Sequence, residues 1–146
     1  MIRYDYLKKL QKWGMNLTPV RSDKKPETKN GKWFHAWTLR ELAKKERIGV
    51  WHTSGFYDID FDDKKKNCHK FMSLFPETFT SGKTIDGVPV STHLIYNSGT
   101  ETATYESYPK VCGKDEKKIE LLTNKQTWIL GDDRVVIKDV SPSRYP

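Results

Sequence analysis

Apolar residues recur along this chain with two periods, and the change from one to the other organises the fold. Near the start, Tyr6, Leu7, Leu10 and Trp13 fall on one stripe of a helix while Lys8, Lys9 and Lys12 lie off it. Gly14 stands where a helix stops, so the pattern predicts an amphipathic helix of about three turns. A short apolar piece at 17–20 follows. The polar, lysine-rich stretch 22–32, with Pro26 and the turn pair Asn30-Gly31, reads as a loop. Thr38 and Glu41 form a capping box ahead of Leu39, Leu42 and Ala43, which predicts a second short helix ending near Glu46.

From residue 48 onward the period shortens to two. Ile48, Val50 and Trp51 lead to Gly55 and a strand at 56–61, where Phe56, Asp58 and Asp60 alternate with Tyr57, Ile59 and Phe61. One face of that strand is apolar and the other carries two carboxylates. A third helix is expected after Asp62-Asp63, burying Phe71, Leu74 and Phe75 before Pro76 closes it. Residues 78–84 and 88–96 read as a hairpin around Asp86-Gly87, and 119–122 with 128–130 as a second hairpin turning at Thr123, Asn124 and Lys125. The tail 141–146, with two prolines and no period, reads as an extended end or the start of a linker.

Composition bounds the picture. A chain of 146 residues that is 36% hydrophobic suits one core, so 1–146 is read as a single domain. The 26 Lys and Arg against 19 Asp and Glu leave a formal charge of +7, which favours polyanionic partners, although a solvated basic surface explains it equally. Only Cys68 and Cys112 are present, and neither belongs to a Cys-x-x-Cys pair. This excludes a disulfide framework or a four-cysteine zinc site and suggests a reducing compartment. No window approaches the roughly 20 apolar residues of a membrane span and the N-terminus lacks a signal-peptide pattern, so a soluble, cytoplasmic protein with no membrane partner is expected.

Three sets of residues carry candidate chemistry. Asp58 and Asp60, two apart on a strand, project from one face about 6.6 Å apart, close enough for their oxygens to share hard cations. The plain alternative is a solvated acidic edge. Ser91 and His93 repeat that spacing, alternating with Val90, Thr92 and Leu94, and supply a hydroxyl and an imidazole that suit a triphosphate, whose oxygens only accept. Glu120 lies inside the apolar run of Ile119, Leu121 and Leu122, where a carboxylate needs a partner. Ser81-Gly82-Lys83-Thr84 invites a phosphate-loop reading, but Glu77 stands where that loop needs glycine and a strand follows instead of a helix, so an ATPase is rejected.

The order of these features resembles the primase-polymerase family of the archaeo-eukaryotic primase superfamily, found in phages, plasmids and mobile elements. The likeness runs over roughly residues 4 to 131. Lys24-Lys25-Pro26, Trp33 and Trp37, Thr38 with Glu41, and Ile48-Gly49-Val50 look like the family's lead-in to its first catalytic strand. Tyr57-Asp58-Ile59-Asp60 is similar to its first motif, Ser91-Thr92-His93 to its second, and Ile119-Glu120 to its third, with Trp128-Ile129-Leu130-Gly131 as the strand after it. Pro89 and Val90 stand where many relatives carry glycines, and Asp is frequent where this chain has Glu120.

The resemblance implies an α+β fold: a mixed, palm-like (RRM-like) catalytic sheet with helices behind it, and an N-terminal αβ lobe across a cleft. It implies a DNA primase/polymerase in which Asp58, Asp60 and Glu120 hold two Mg2+ or Mn2+ ions while Ser91, His93 and Lys83 bind the nucleotide. Its partners would be a single-stranded DNA template, a primer and NTP or dNTP, with a helicase domain or protein beside it in a longer chain, in the host cytoplasm if phage- or plasmid-encoded. Lys64, Lys65 and Lys66 are candidates for template contact. The alternative expectation is a non-catalytic single-stranded nucleic-acid-binding module, with Trp51 and Tyr57 stacking on bases and the acids incidental.

Overall fold

In the computed structural model, residues 3–29, 31, 37–52, 55–62, 69–97, 106–108, 118–122, 125–131 and 133–145 are described. Trp33, Lys64, Lys65, Lys66, Cys68 and Cys112, named above, lie outside them. The fold is α+β and mostly antiparallel. Helix α1, Tyr4–Lys12, buries Leu7 and Leu10 and ends at Trp13, with Gly14 at a φ of 97°. Helix α2, Leu39–Ala43, is shorter than expected, but its capping box is formed. Thr38 Oγ1 accepts from the Glu41 amide at 3.2 Å, and the Glu41 carboxylate accepts from the Thr38 amide at 3.1 Å.

Two sheets share the strands. The small one orders β1 (Asn16–Pro19), β2 (Arg47–His52) and β8 (Lys125–Gly131). The large one runs β6 (Glu106–Tyr108), β7 (Lys118–Leu122), β3 (Phe56–Asp62), β5 (Val88–Asn97), β4 (Phe79–Ile85) and β9 (Arg134–Lys138), with β10 (Ser143–Arg144) parallel to β5. That single parallel pair is what makes the sheet mixed. The β4–β5 hairpin turns at Asp86-Gly87 as expected, and both residues take positive φ, 51° and 76°, as a tight antiparallel turn requires.

Three expectations are corrected, and the tail, expected as an extended end, is found extended and paired. Among the described residues β7 and β8 do not pair as a hairpin, the expected turn residues Thr123 and Asn124 lying outside them: β7 pairs with β3 while β8 pairs with β2, because Trp128 and Leu130 bury against Ile48 and Val50. The third helix is a 3-10 helix, His69–Leu74, and Leu74 points outward at 73% exposure while Phe71 and Phe75 pack inward. Consequently the helices are not stacked together behind the acid-bearing face. Helices α1 and α2 join the small sheet, and only the 3-10 helix, among the described residues, lies behind the large one. The tail is tied down by β10: the Thr78 hydroxyl donates to the Ile95 carbonyl and accepts from the Ser143 amide at 2.9 Å.

Two cores result. One gathers Leu7, Leu10, Leu42, Ile48, Val50, Trp128 and Leu130 and reaches the large sheet through Phe56, Phe79 and Ile95. The other lies on the opposite face of that sheet and contains Tyr57, Ile59, Phe61, Leu94, Tyr96 and Ile119. Gly131 closes the junction between the sheets. At a φ of 93°, any Cβ there would meet the Glu46 carbonyl oxygen at 1.9 Å.

Candidate active site

Strand pairing sets the site out in rows across β7, β3, β5 and β4. In the first row Leu122, Asp58, Ile95 and Phe79 stand side by side. In the next, Glu120, Asp60, His93 and Ser81 do. A third register row is Lys118, Asp62, Ser91 and Lys83. Directly opposed residues of antiparallel strands share a face, so three residues far apart in sequence, Asp60, His93 and Glu120, become lateral neighbours.

The first row explains the burial of Asp58. Flanked by Leu122 and Ile95, its side chain is fully buried, and a carboxylate there is unfavourable unless a charge or donor compensates. His93 provides one: its Nδ1 lies 2.7 Å from Asp58 Oδ2 and 3.6 Å from Asp60 Oδ1. Burial alone would lower the imidazole pKa. The charges of Asp58 and Asp60 and the hydrogen bond to Asp58 outweigh it and push the ring up to about 9, with Arg134 opposing. At neutral pH His93 is therefore an imidazolium, and Nδ1 donates to Asp58. The other oxygen, Asp58 Oδ1, is buried with no hydrogen-bond partner among the described residues.

Of the expected residues, Asp58, Asp60, His93 and Glu120 are neighbours in these rows. His93 was expected to face phosphate; its Nδ1 instead serves Asp58, leaving the Nε2–H as the donor for another acceptor. Lys83 makes an ion pair with Asp133 at 2.8 Å, and Ser91 stands beside it by register. Among the described residues no three His, Cys, Asp or Glu side chains form a closed metal-ligand set, since the imidazole fills the space between the two aspartates. The donors nonetheless suit a hard divalent cation: all are carboxylate oxygens, like charges stand directly opposed at Asp60 and Glu120, and one oxygen is buried without a donor.

Two contributors went unrecognised in the sequence. Ser81 had been considered only within a rejected phosphate loop, which the structure replaces with strand β4. Its hydroxyl is buried beside His93 with no partner among the described residues. Arg134 opens β9, opposite Lys83, and its charge acts on His93. The period-two spacing from Ser81 to Lys83 was the available signal for the first. For the second there was none, because β9 had not been read as a strand.

The stacking expectation for Tyr57 is overturned. The ring is 6% exposed, stacked on Tyr96, and its hydroxyl donates to the Tyr145 carbonyl at 2.7 Å, so no base can reach it. No helix among the described residues is long and apolar enough to cross a membrane. Compared with known proteins, the chain matches no family model and no curated protein.

Proposed function

We propose that this chain is a DNA primase/polymerase catalysing template-directed nucleotidyl transfer, with Asp58, Asp60 and Glu120 as the metal-binding carboxylates. The observation that carries this reading is the lateral row Glu120, Asp60, His93, next to a buried Asp58 whose Oδ1 has no hydrogen-bond donor among the described residues. Three separate motifs converge on one face of three adjacent strands. The order β7-β3-β5-β4 supports the palm-like reading, because β3 and β5 are central and β5 lies between β3 and β4, as in a split β-α-β sheet, with β6 and β9 added at the edges.

Two Mg2+ or Mn2+ ions, when bound, would supply Lewis-acid activation of the attacking 3'-hydroxyl or initiating nucleotide and neutralise charge on the leaving pyrophosphate. Asp58, Asp60 and Glu120 would hold them. His93 keeps the Asp58 carboxylate oriented through Nδ1 and offers Nε2–H to a triphosphate oxygen, with Ser91 and Lys83 as further nucleotide contacts. Phe79 and Ile95, side by side with Asp58 in the adjoining row, keep that flank of the site apolar.

The test is a gel assay of purified protein with single-stranded template, labelled NTP or dNTP and Mg2+ or Mn2+, with and without primer. Metal-dependent products absent from Asp58→Ala/Asp60→Ala are expected. DNA binding without product, unchanged in that variant and independent of metal, would replace this reading with the non-catalytic binding module.

A further inference from the structure

Ser81 is the fourth member of the acid row, and it belongs to none of the three motifs that pointed to the site. It stands on β4 directly opposite His93, so the imidazole has Asp60 on one side and Ser81 on the other. Directly opposed residues of antiparallel strands carry Cβ atoms about 4.5–5.5 Å apart, a span that a histidine side chain covers by leaning either way. Here it leans toward β3, with Nδ1 2.7 Å from Asp58 Oδ2 and 3.6 Å from Asp60 Oδ1.

The Ser81 side chain is 1% exposed, and its hydroxyl has no hydrogen-bond partner among the described residues. Its surroundings do not relieve this. Phe79 precedes it on the same face of β4, Val136 stands opposite it on β9, and Lys83, next on that face, is held by Asp133 at 2.8 Å. A buried hydroxyl among such neighbours is unfavourable without a partner. The imidazole is the polar side chain directly opposite, and its Nδ1 is engaged elsewhere.

The place that the ring occupies supplies the other half of the case. It fills the space between the two aspartates, so both carboxylates cannot face one hard cation while it is there. Leaving that space sideways, away from Asp60, brings the ring to Ser81.

We infer that Ser81 is a positioning residue for His93: its hydroxyl accepts the imidazole Nδ1–H once Asp58 and Asp60 serve a divalent cation. His93 then exchanges one acceptor for another, Asp58 Oδ2 for Ser81 Oγ, and its Nε2–H stays available to a further acceptor. The inference rests on these aspartates being metal ligands, as the proposed function has them, and not on polymerisation itself.

Titration of the whole chain with Mg2+, followed by calorimetry and by NMR of 15N-labelled histidine rings, tests this without any assay of synthesis. The chain has four histidines, and the His93 signals are those missing from His93→Gln. Wild type is expected to bind Mg2+ with a change in the His93 ring signals, as Nδ1 leaves a carboxylate for a hydroxyl. Ser81→Ala should bind Mg2+ about tenfold more weakly, having lost the acceptor for the displaced ring, while its chemical denaturation in EDTA matches or exceeds wild type. Ser81→Thr, which keeps the hydroxyl, should recover most of the affinity. A merely structural serine would do the reverse, and a Ser81→Ala variant that loses stability in EDTA with Mg2+ affinity unchanged overturns the inference. His93 signals that ignore saturating Mg2+ overturn it as well. Binding that needs Asp58 and Asp60 but is indifferent to Ser81→Ala removes the positioning role alone. Absence of Mg2+ binding in wild type, or binding that survives Asp58→Ala/Asp60→Ala, removes the metal reading and the role of Ser81 with it.

Discussion

Strand β3 presents alternate residues to two faces, and the two are settled by opposite means. Behind, Tyr57, Ile59 and Phe61 meet Leu94, Tyr96 and Ile119 under Phe71, Phe75 and Tyr145, and the polar atoms are paired: the Tyr57 hydroxyl donates to Tyr145 and the Tyr96 hydroxyl to Pro76. In front, Asp58 and Asp60 sit among Glu120, His93 and Ser81, where carboxylates are adjacent and, among the described residues, Asp58 Oδ1 and the Ser81 hydroxyl are buried without a hydrogen-bond partner. Both faces lie on the same backbone, so packing quality is not what separates them. The rear face pairs its polar atoms within apolar packing, and the front face gathers its charges around one imidazole. Such local conflict, set in an otherwise consistent sheet, is what a functional site looks like.

That contrast is broken most sharply by removing the charges. Asp58→Ala/Asp60→Ala is expected to lower nucleotide incorporation by at least about a thousandfold while circular dichroism still reports a folded protein, because in the proposed reading the two carboxylates hold ligands. Phe61→Ala should do the reverse. Loss of a fully buried ring costs about 3–5 kcal/mol, read from chemical denaturation, and any loss of activity should follow the unfolded fraction. A double Asp variant that unfolds would erase the distinction between the faces.

Smaller changes sharpen it. Glu120→Gln removes a charge directly opposite Asp60 while keeping the side chain's shape, and is expected to leave the metal-free protein folded in EDTA. Mn2+ is expected to raise the thermal transition of wild type, and the same variant should lose most of that shift. Tyr57→Phe leaves the Tyr145 carbonyl without its donor and should cost about 1 kcal/mol, with incorporation per folded molecule unchanged.

What was legible in the sequence was local. The alternation from Phe56 to Phe61, the Thr38–Glu41 capping box and the Asp86-Gly87 turn each encode their structure within a few residues, and all three are present. The face shared by Asp58 and Asp60 followed from strand period alone. The register that sets Glu120 and His93 beside Asp60 did not, because it depends on pairing between segments about 30 and 60 residues apart. The departure of β8 to the small sheet was illegible for the same reason: nothing local between β7 and β8 signals a change of sheet, and the burial of Trp128 decides it. Strand β9 was missed because Val135, Val136 and Ile137 form a continuous apolar run, in which a period of two cannot be seen.

The smallest expected effect concerns a carboxylate unlike those in the site. Glu41 has its own partners: Lys29 at 2.6 Å and the Thr38 amide, which lower its pKa to about 2, against a slight opposing effect of desolvation. A carboxylate whose pKa is lowered by folding contributes stability above its unfolded value of 4.5, and that contribution is lost as pH falls through 4.5 toward 2. Thermal unfolding of wild type and Glu41→Gln should therefore differ most at pH 7 and converge near pH 2. The side chain is on the surface, so added salt should shrink the pH 7 difference as well. A difference that stayed constant across this range would mean that the charge of Glu41 contributes nothing and that the cap acts through its hydrogen bonds alone.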